Sequence, residues 1–185
     1  MELIEQLEKI IHKDFQLKVS NPGFFLLEDN SVECLPPSFV KFHSQRKFLP
    51  CKFDTKDSNK LFQAFNIGVE GVSKMCDYIL LFEKKCKKKA ILFVFLCELK
   101  STRGSENKQL EAAQIFSEYL IKTGIRLLKF KHFEVEYRGL VFSNYQRTKF
   151  KTNLKNESYI KLEHSGLKQV RLRPGTNCIL ELLAK

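Results

Sequence analysis

The sequence predicts a single α/β domain organised around a central β-hairpin, and three observations carry that expectation. Residues 77–83 (DYILLFE) and 90–100 (AILFVFLCELK) are almost continuously apolar, as strands covered on both faces are. Between them, five lysines interrupted by Cys86 mark a solvent-facing turn. Residues 108–122 then carry the clearest helical pattern, with Lys108, Glu111, Glu118 and Lys122 on one polar stripe. At 185 residues, 43% of them hydrophobic and 17 of them phenylalanine, the chain can bury one sizeable core and does not read as disordered.

In chain order, Leu3, Leu7, Ile10 and Ile11 stand at helical spacing and predict a helix over 2–13. Pro22, Pro36, Pro37 and Pro50 punctuate 20–60, which predicts irregular structure with one or two short strands. A second helix is expected over 61–74, weakened by Gly68 and Gly71. After the helix over 108–122, FEVEYRGLVFS at 133–143 reads as a strand and 146–156 as a basic loop. Residues 159–164 and 168–173 read as a hairpin turning at Ser165–Gly166. The expected domain thus has a core at about 61–145 and a basic loop with a C-terminal hairpin at about 146–185.

Lysines and arginines outnumber acids 32 to 21, for a net charge of +11, which points to a polyanionic partner, nucleic acid. The competing reading of that charge is solubility alone. The six cysteines at 34, 51, 76, 86, 97 and 178 form no CxxC pair, so no zinc site is expected. The N-terminus has acids in its first turn and no basic leader region, and no apolar run reaches the ~18–20 residues of a membrane span. An intracellular, cytoplasmic, reducing location without membrane contact is the resulting expectation.

Alternate strand residues share a face, so Glu98 and Lys100 project from the same side as Leu92, Val94 and Leu96, at the point where the strand leaves its core. If the two apolar runs pair antiparallel, Asp77 at the start of the first lies beside the end of the second. Two converging carboxylates repel unless a cation separates them, and oxygen ligands suit Mg²⁺ or Mn²⁺. A neighbouring lysine can orient an attacking water and offset phosphate charge. The plain alternative is a surface Glu98–Lys100 pair with an unrelated Asp77.

Asp77, an apolar run, and Glu98-Leu99-Lys100 after a second apolar strand resemble the PD-(D/E)xK phosphodiesterase superfamily of nucleases and restriction-type enzymes. The resemblance covers roughly 70–122 and rests on a short motif, strengthened by the strands around it and the helix behind it. It implies a restriction-endonuclease-like core, a central mixed sheet flanked by helices in the order helix, strand, strand, strand, helix, strand. Asp77 and Glu98 would bind the divalent metal, the Leu99 carbonyl would complete its protein shell, and Lys100 would serve the hydrolytic water. Cys76 stands where the superfamily's name has proline, a position that varies.

The same resemblance implies a glutamine on the following helix facing the site. Gln114 shares a side with Leu110, Ala113, Ser117 and Ile121, where an unpartnered amide costs roughly 1–3 kcal/mol, and is assigned a substrate-facing or supporting catalytic role. Glu70 and Glu5 are the available further acids. Arg103, Lys108, Arg147, Lys149 and Lys151 are the expected contacts to the nucleic-acid backbone, with Tyr145 and Phe150 placed to stack on bases. The four histidines share no spacing. The function expected is Mg²⁺- or Mn²⁺-dependent nuclease, an endonuclease with DNA ranked ahead of RNA, acting as a homodimer or with a partner subunit where both strands are cut. The alternatives are an inactive nucleic-acid-binding subunit on a degenerate nuclease fold, and a metal-independent assembly subunit.

Overall fold

The computed structural model describes residues 3–20, 23–29, 38–53, 62, 64–66, 69, 72, 74–86, 89–100, 106–129, 133–143, 159–161 and 165–185. In chain order these form α1 (Leu3–Ile10), a 3-10 turn (Lys13–Phe15), β1 (Phe24–Asp29), β2 (Ser38–His43), β3 (Phe48–Cys51), β4 (Tyr78–Lys85) and β5 (Ala90–Lys100). There follow α2 (Glu106–Leu128), β6 (Phe133–Ser143), β7 (Ile160–Lys161), β8 (Lys168–Leu172), β9 (Asn177–Ile179) and α3 (Leu180–Leu183).

The strands make two mixed sheets, one of six strands in the order β3-β4-β5-β6-β8-β7 and one of three in the order β1-β2-β9. β4 and β5 pair antiparallel as the hairpin pattern predicts, whereas β5–β6 and β6–β8 are parallel. α2 supplies the crossover that the parallel β5–β6 pair requires. β5 lies inside the sheet, which explains why eight consecutive residues from Leu92 to Leu99 are buried and why its sequence shows no polar alternation.

Each face of the six-stranded sheet has its own core. On one, Leu80, Phe82, Phe93 and Phe95 meet Leu27, Val40 and Phe42 of the smaller sheet. On the other, Ile79, Leu81, Val94 and Leu96 pack against Leu3, Ile4 and Leu7 of α1 and Leu110 and Ala113 of α2. The layers are therefore helices, large sheet, small sheet. An eight-residue helix such as α1 is marginal by itself, so its apolar stripe on the sheet is what holds it. Its N-terminus is also capped from β4, where the Leu3 amide donates to Glu83 Oε2 at 3.0 Å.

Several expectations need correcting. Residues 20–60 contain three strands, not one or two. Pro50 lies inside β3 because β3 is the edge of its sheet, where a missing amide donor breaks no ladder. Of the helix expected over 61–74, half of the residues lie outside those described, and Phe62, Phe65, Asn66, Val69 and Val72 are joined by three-residue turn bonds. α2 runs six residues beyond 122, because Gly124 is buried and the helix ends only at Lys129, whose φ of 53° is the left-handed stop. The expected C-terminal hairpin is present as the antiparallel β7–β8 pair, with Gly166 at φ 67° in its turn.

Gly139 of β6 sets how closely α2 approaches the sheet. A Cβ there would lie 3.0 Å from Leu110 Cδ1 and 3.1 Å from the Cβ of Gln169. Gly139→Val is expected to lower stability by about 1–3 kcal/mol through overpacking, with Gly139→Ala costing less, as measured by urea unfolding.

Candidate active site

The pairing of β4 with β5 fixes the centre of the site. Tyr78 stands opposite Cys97, so the residues one step beyond, Asp77 and Glu98, are side by side. Two hydrogen bonds cross between them: the Asp77 amide donates to Glu98 Oε2 at 3.3 Å, and the Leu99 amide donates to Asp77 Oδ2 at 2.7 Å. Strand alternation turns Leu99 into the phenylalanine-rich core and leaves Glu98 and Lys100 on the helix side. There Lys100 Nζ lies 2.6 Å from Glu98 Oε1.

Glu98 is 1% exposed, and its environment disfavours charge. Burial, and then the charge of Asp77, raise its pKa from the usual 4.5 to about 7, against the pull of Lys100 and the Asp77 amide. A carboxyl kept this close to its neutral form beside a second carboxylate is a place where a cation relieves strain. The oxygen donors suit a hard divalent ion. Among the described residues no three His, Cys, Asp or Glu side chains gather into one group.

Of the residues singled out in the sequence, the structure brings Asp77, Glu98, Leu99 and Lys100 together. It does not bring Gln114 to them. Gln114 Nε2 donates to Glu118 Oε1 at 3.2 Å one turn along α2, and its Oε1 is buried without a hydrogen bond. The glutamine at the site is Gln109, whose Oε1 accepts from Lys100 Nζ at 2.6 Å and whose Nε2 reaches the Met75 carbonyl at 3.4 Å. Because α2 starts at Glu106, Gln109 stands in its first turn, the turn that follows the end of β5. The signal available in the sequence was a glutamine within ten residues of Lys100, which helical amphipathicity alone does not rank above Gln114.

Glu5 is placed at the other end of β4. α1 begins against Glu83, six residues along the strand from Asp77 and so about 20 Å away. Glu70, Arg103, Arg147, Lys149 and Lys151, with Tyr145 and Phe150, lie outside the described residues. Lys108 is exposed in the first turn of α2, next to Gln109. The thiols of Cys76 and Cys97 are wholly buried, and burial pushes both pKa values well up, so both stay protonated as small apolar groups.

Neither a scan against protein-family models nor searches of curated proteins and of solved structures found a match. No helix among the described residues is long and apolar enough to cross a membrane.

Proposed function

We propose that this protein is a divalent-metal-dependent phosphodiesterase that cleaves nucleic acid, with DNA the first substrate to test. The observation that carries this reading is the convergence of Asp77, Glu98 and Lys100 at the mouth of the β4–β5 hairpin, with the buried Glu98 raised towards neutrality. The resemblance to the PD-(D/E)xK superfamily adds to it: β3, β4, β5, α2 and β6 follow the strand, strand, strand, helix, strand order of a restriction-endonuclease-like core, although β1 and β2 stand between α1 and β3 where that order has none.

Asp77 and Glu98 would hold Mg²⁺ or Mn²⁺, with the Leu99 carbonyl as a further oxygen. The metal, when bound, supplies Lewis-acid polarisation of a phosphoryl oxygen and lowers the pKa of water. Asp77 is held in place by the Leu99 amide, so its carboxylate enters the reaction already oriented. Lys100, held between Glu98 and Gln109, presents its ammonium where charge builds on the phosphate and where a water can be hydrogen-bonded. The +11 charge of the chain concentrates a polyanionic substrate.

The deciding experiment incubates purified protein with supercoiled plasmid, linear duplex, single-stranded DNA and RNA, each with Mg²⁺, with Mn²⁺ and with EDTA. Cleavage of at least one substrate that requires metal is the expected result. Cleavage that persists in EDTA, or none on any substrate, overturns the proposal.

A further inference from the structure

We infer that the outer face of the three-stranded sheet, together with the basic cleft beside it, is a binding surface for single-stranded nucleic acid. This inference shares its class of partner with the proposed function and none of its residues.

β1 and β2 alternate strictly, which places Phe25, Leu27, Val40 and Phe42 in the core and leaves Phe24, Leu26, Phe39 and Lys41 facing out. Phe24 is 43% exposed, Phe39 44% and Leu26 41%. The register sets Phe24 beside His43, with ring centroids 4.6 Å apart, and His43 beside Ile179 of β9. Lys41 sits in the middle strand with its Nζ 5.9 Å from the Phe39 ring centre. A twisted sheet that exposes aromatic rings with a cation among them is a platform for unstacked bases. Every base offers a π-face to a ring, whereas a duplex keeps those faces covered.

The cleft supplies the complementary charge. His43 belongs to both surfaces, because it also lines a cavity of about 990 Å³ with Lys13, Lys18, Arg46 and Lys47. The single acid among the described lining residues, Glu8, is already paired with Lys47 at 2.6 Å. Among the described residues no acid pairs with Lys18 or Arg46. The loop that presents Arg46 is anchored from beneath: Glu181 Oε1 accepts from Ser44 Oγ at 2.7 Å and from the Gln45 amide at 3.0 Å. Gly23 lets the chain pass close, since a Cβ there would lie 2.3 Å from the Ser44 carbonyl oxygen. An aromatic face flanked by the cations Lys18 and Arg46 fits bases on one side and their phosphates on the other. Glu28, opposite Phe39 at the far end, marks where the platform stops.

The test is fluorescence anisotropy in EDTA with a labelled oligothymidylate, a matching RNA and a blunt duplex, so that binding is read without any metal chemistry. Wild type should bind both single strands, and the duplex more weakly. Phe24→Ala with Phe39→Ala should weaken single-strand binding about tenfold or more by loss of stacking. Lys18→Gln with Arg46→Gln should lower the slope of log affinity against log salt by about 1.4, two contacts at about 0.7 each. All four side chains are accessible, and melting curves establish that the variants fold. Equal affinity for duplex, or unchanged binding in both double variants, overturns the inference. So does light scattering that shows a wild-type dimer lost on Phe39→Ala, which would assign the face to a second copy of the chain.

Discussion

Asp77→Asn, Glu98→Ala and Lys100→Ala should each remove most cleavage by themselves, lowering kcat by roughly 10²–10⁴-fold, the range for loss of one member of an electrostatic or acid–base constellation. At the hairpin mouth Glu98 accepts from the Asp77 amide at 3.3 Å and lies 2.6 Å from Lys100 Nζ, while the Leu99 amide holds the Asp77 carboxylate at 2.7 Å. They serve one chemical step, so the losses should not add: a double variant should be about as inactive as the worse single one. Gln109→Ala should behave differently. It leaves both carboxylates intact and removes the amide that holds Lys100 Nζ at 2.6 Å, so kcat should fall about tenfold to a hundredfold with KM little changed. Rescue by Gln109→Glu, which restores an acceptor for the ammonium, separates positioning from mere packing. Gln114→Leu, on the other hand, should leave activity near wild type, since Gln114 engages Glu118. Single-turnover cleavage at saturating metal measures all six single variants. Full activity in the three variants of the carboxylates and lysine would place the chemistry elsewhere.

The carboxylate–lysine group is legible in the sequence because everything that positions it is local. An antiparallel pair with a short turn fixes which residue faces which, and the two-residue period fixes the side. Gln109 is not legible in the same way. Its contact depends on where α2 begins and how closely Gly139 lets that helix lie on the sheet, and both are tertiary facts. The small sheet is still less visible. β9 is three residues long and pairs parallel with β2 from more than 130 residues away, and no local pattern encodes such a pairing. Pro50 shows the converse: proline reads as a strand breaker unless the strand is known to be an edge. The aromatic platform follows from the same gap, because Phe24 and Phe39 look like core residues until β1 and β2 are paired and their alternation is seen.

In EDTA, Glu98 should make the protein lose stability as pH rises, and the sign follows from its raised pKa. Between about 4.5, where the unfolded carboxyl titrates, and about 7, the folded state retains a proton that the unfolded state has released. The contribution of Glu98 is therefore fully present below pH 4.5, declines across that window and is gone above it. Its ceiling is roughly 3 kcal/mol, the free energy of a shift of this size. Other carboxyls titrate in the same range, so the informative quantity is the difference between wild type and Glu98→Gln. That variant should gain on wild type by about 2–3 kcal/mol between pH 4.5 and 8 in urea unfolding. Asp77→Asn should shrink the gain, because it removes the neighbouring charge that is the second cause of the shift. Adding Mg²⁺ at pH 8 should close most of that gap: wild type is stabilised by about 2.7 kcal/mol when metal is a hundredfold above its Kd, and Glu98→Gln much less. Parallel pH curves for wild type and Glu98→Gln in EDTA would show that folding does not raise the Glu98 pKa, and equal stabilisation of both by Mg²⁺ would show that the metal binds away from this carboxylate pair.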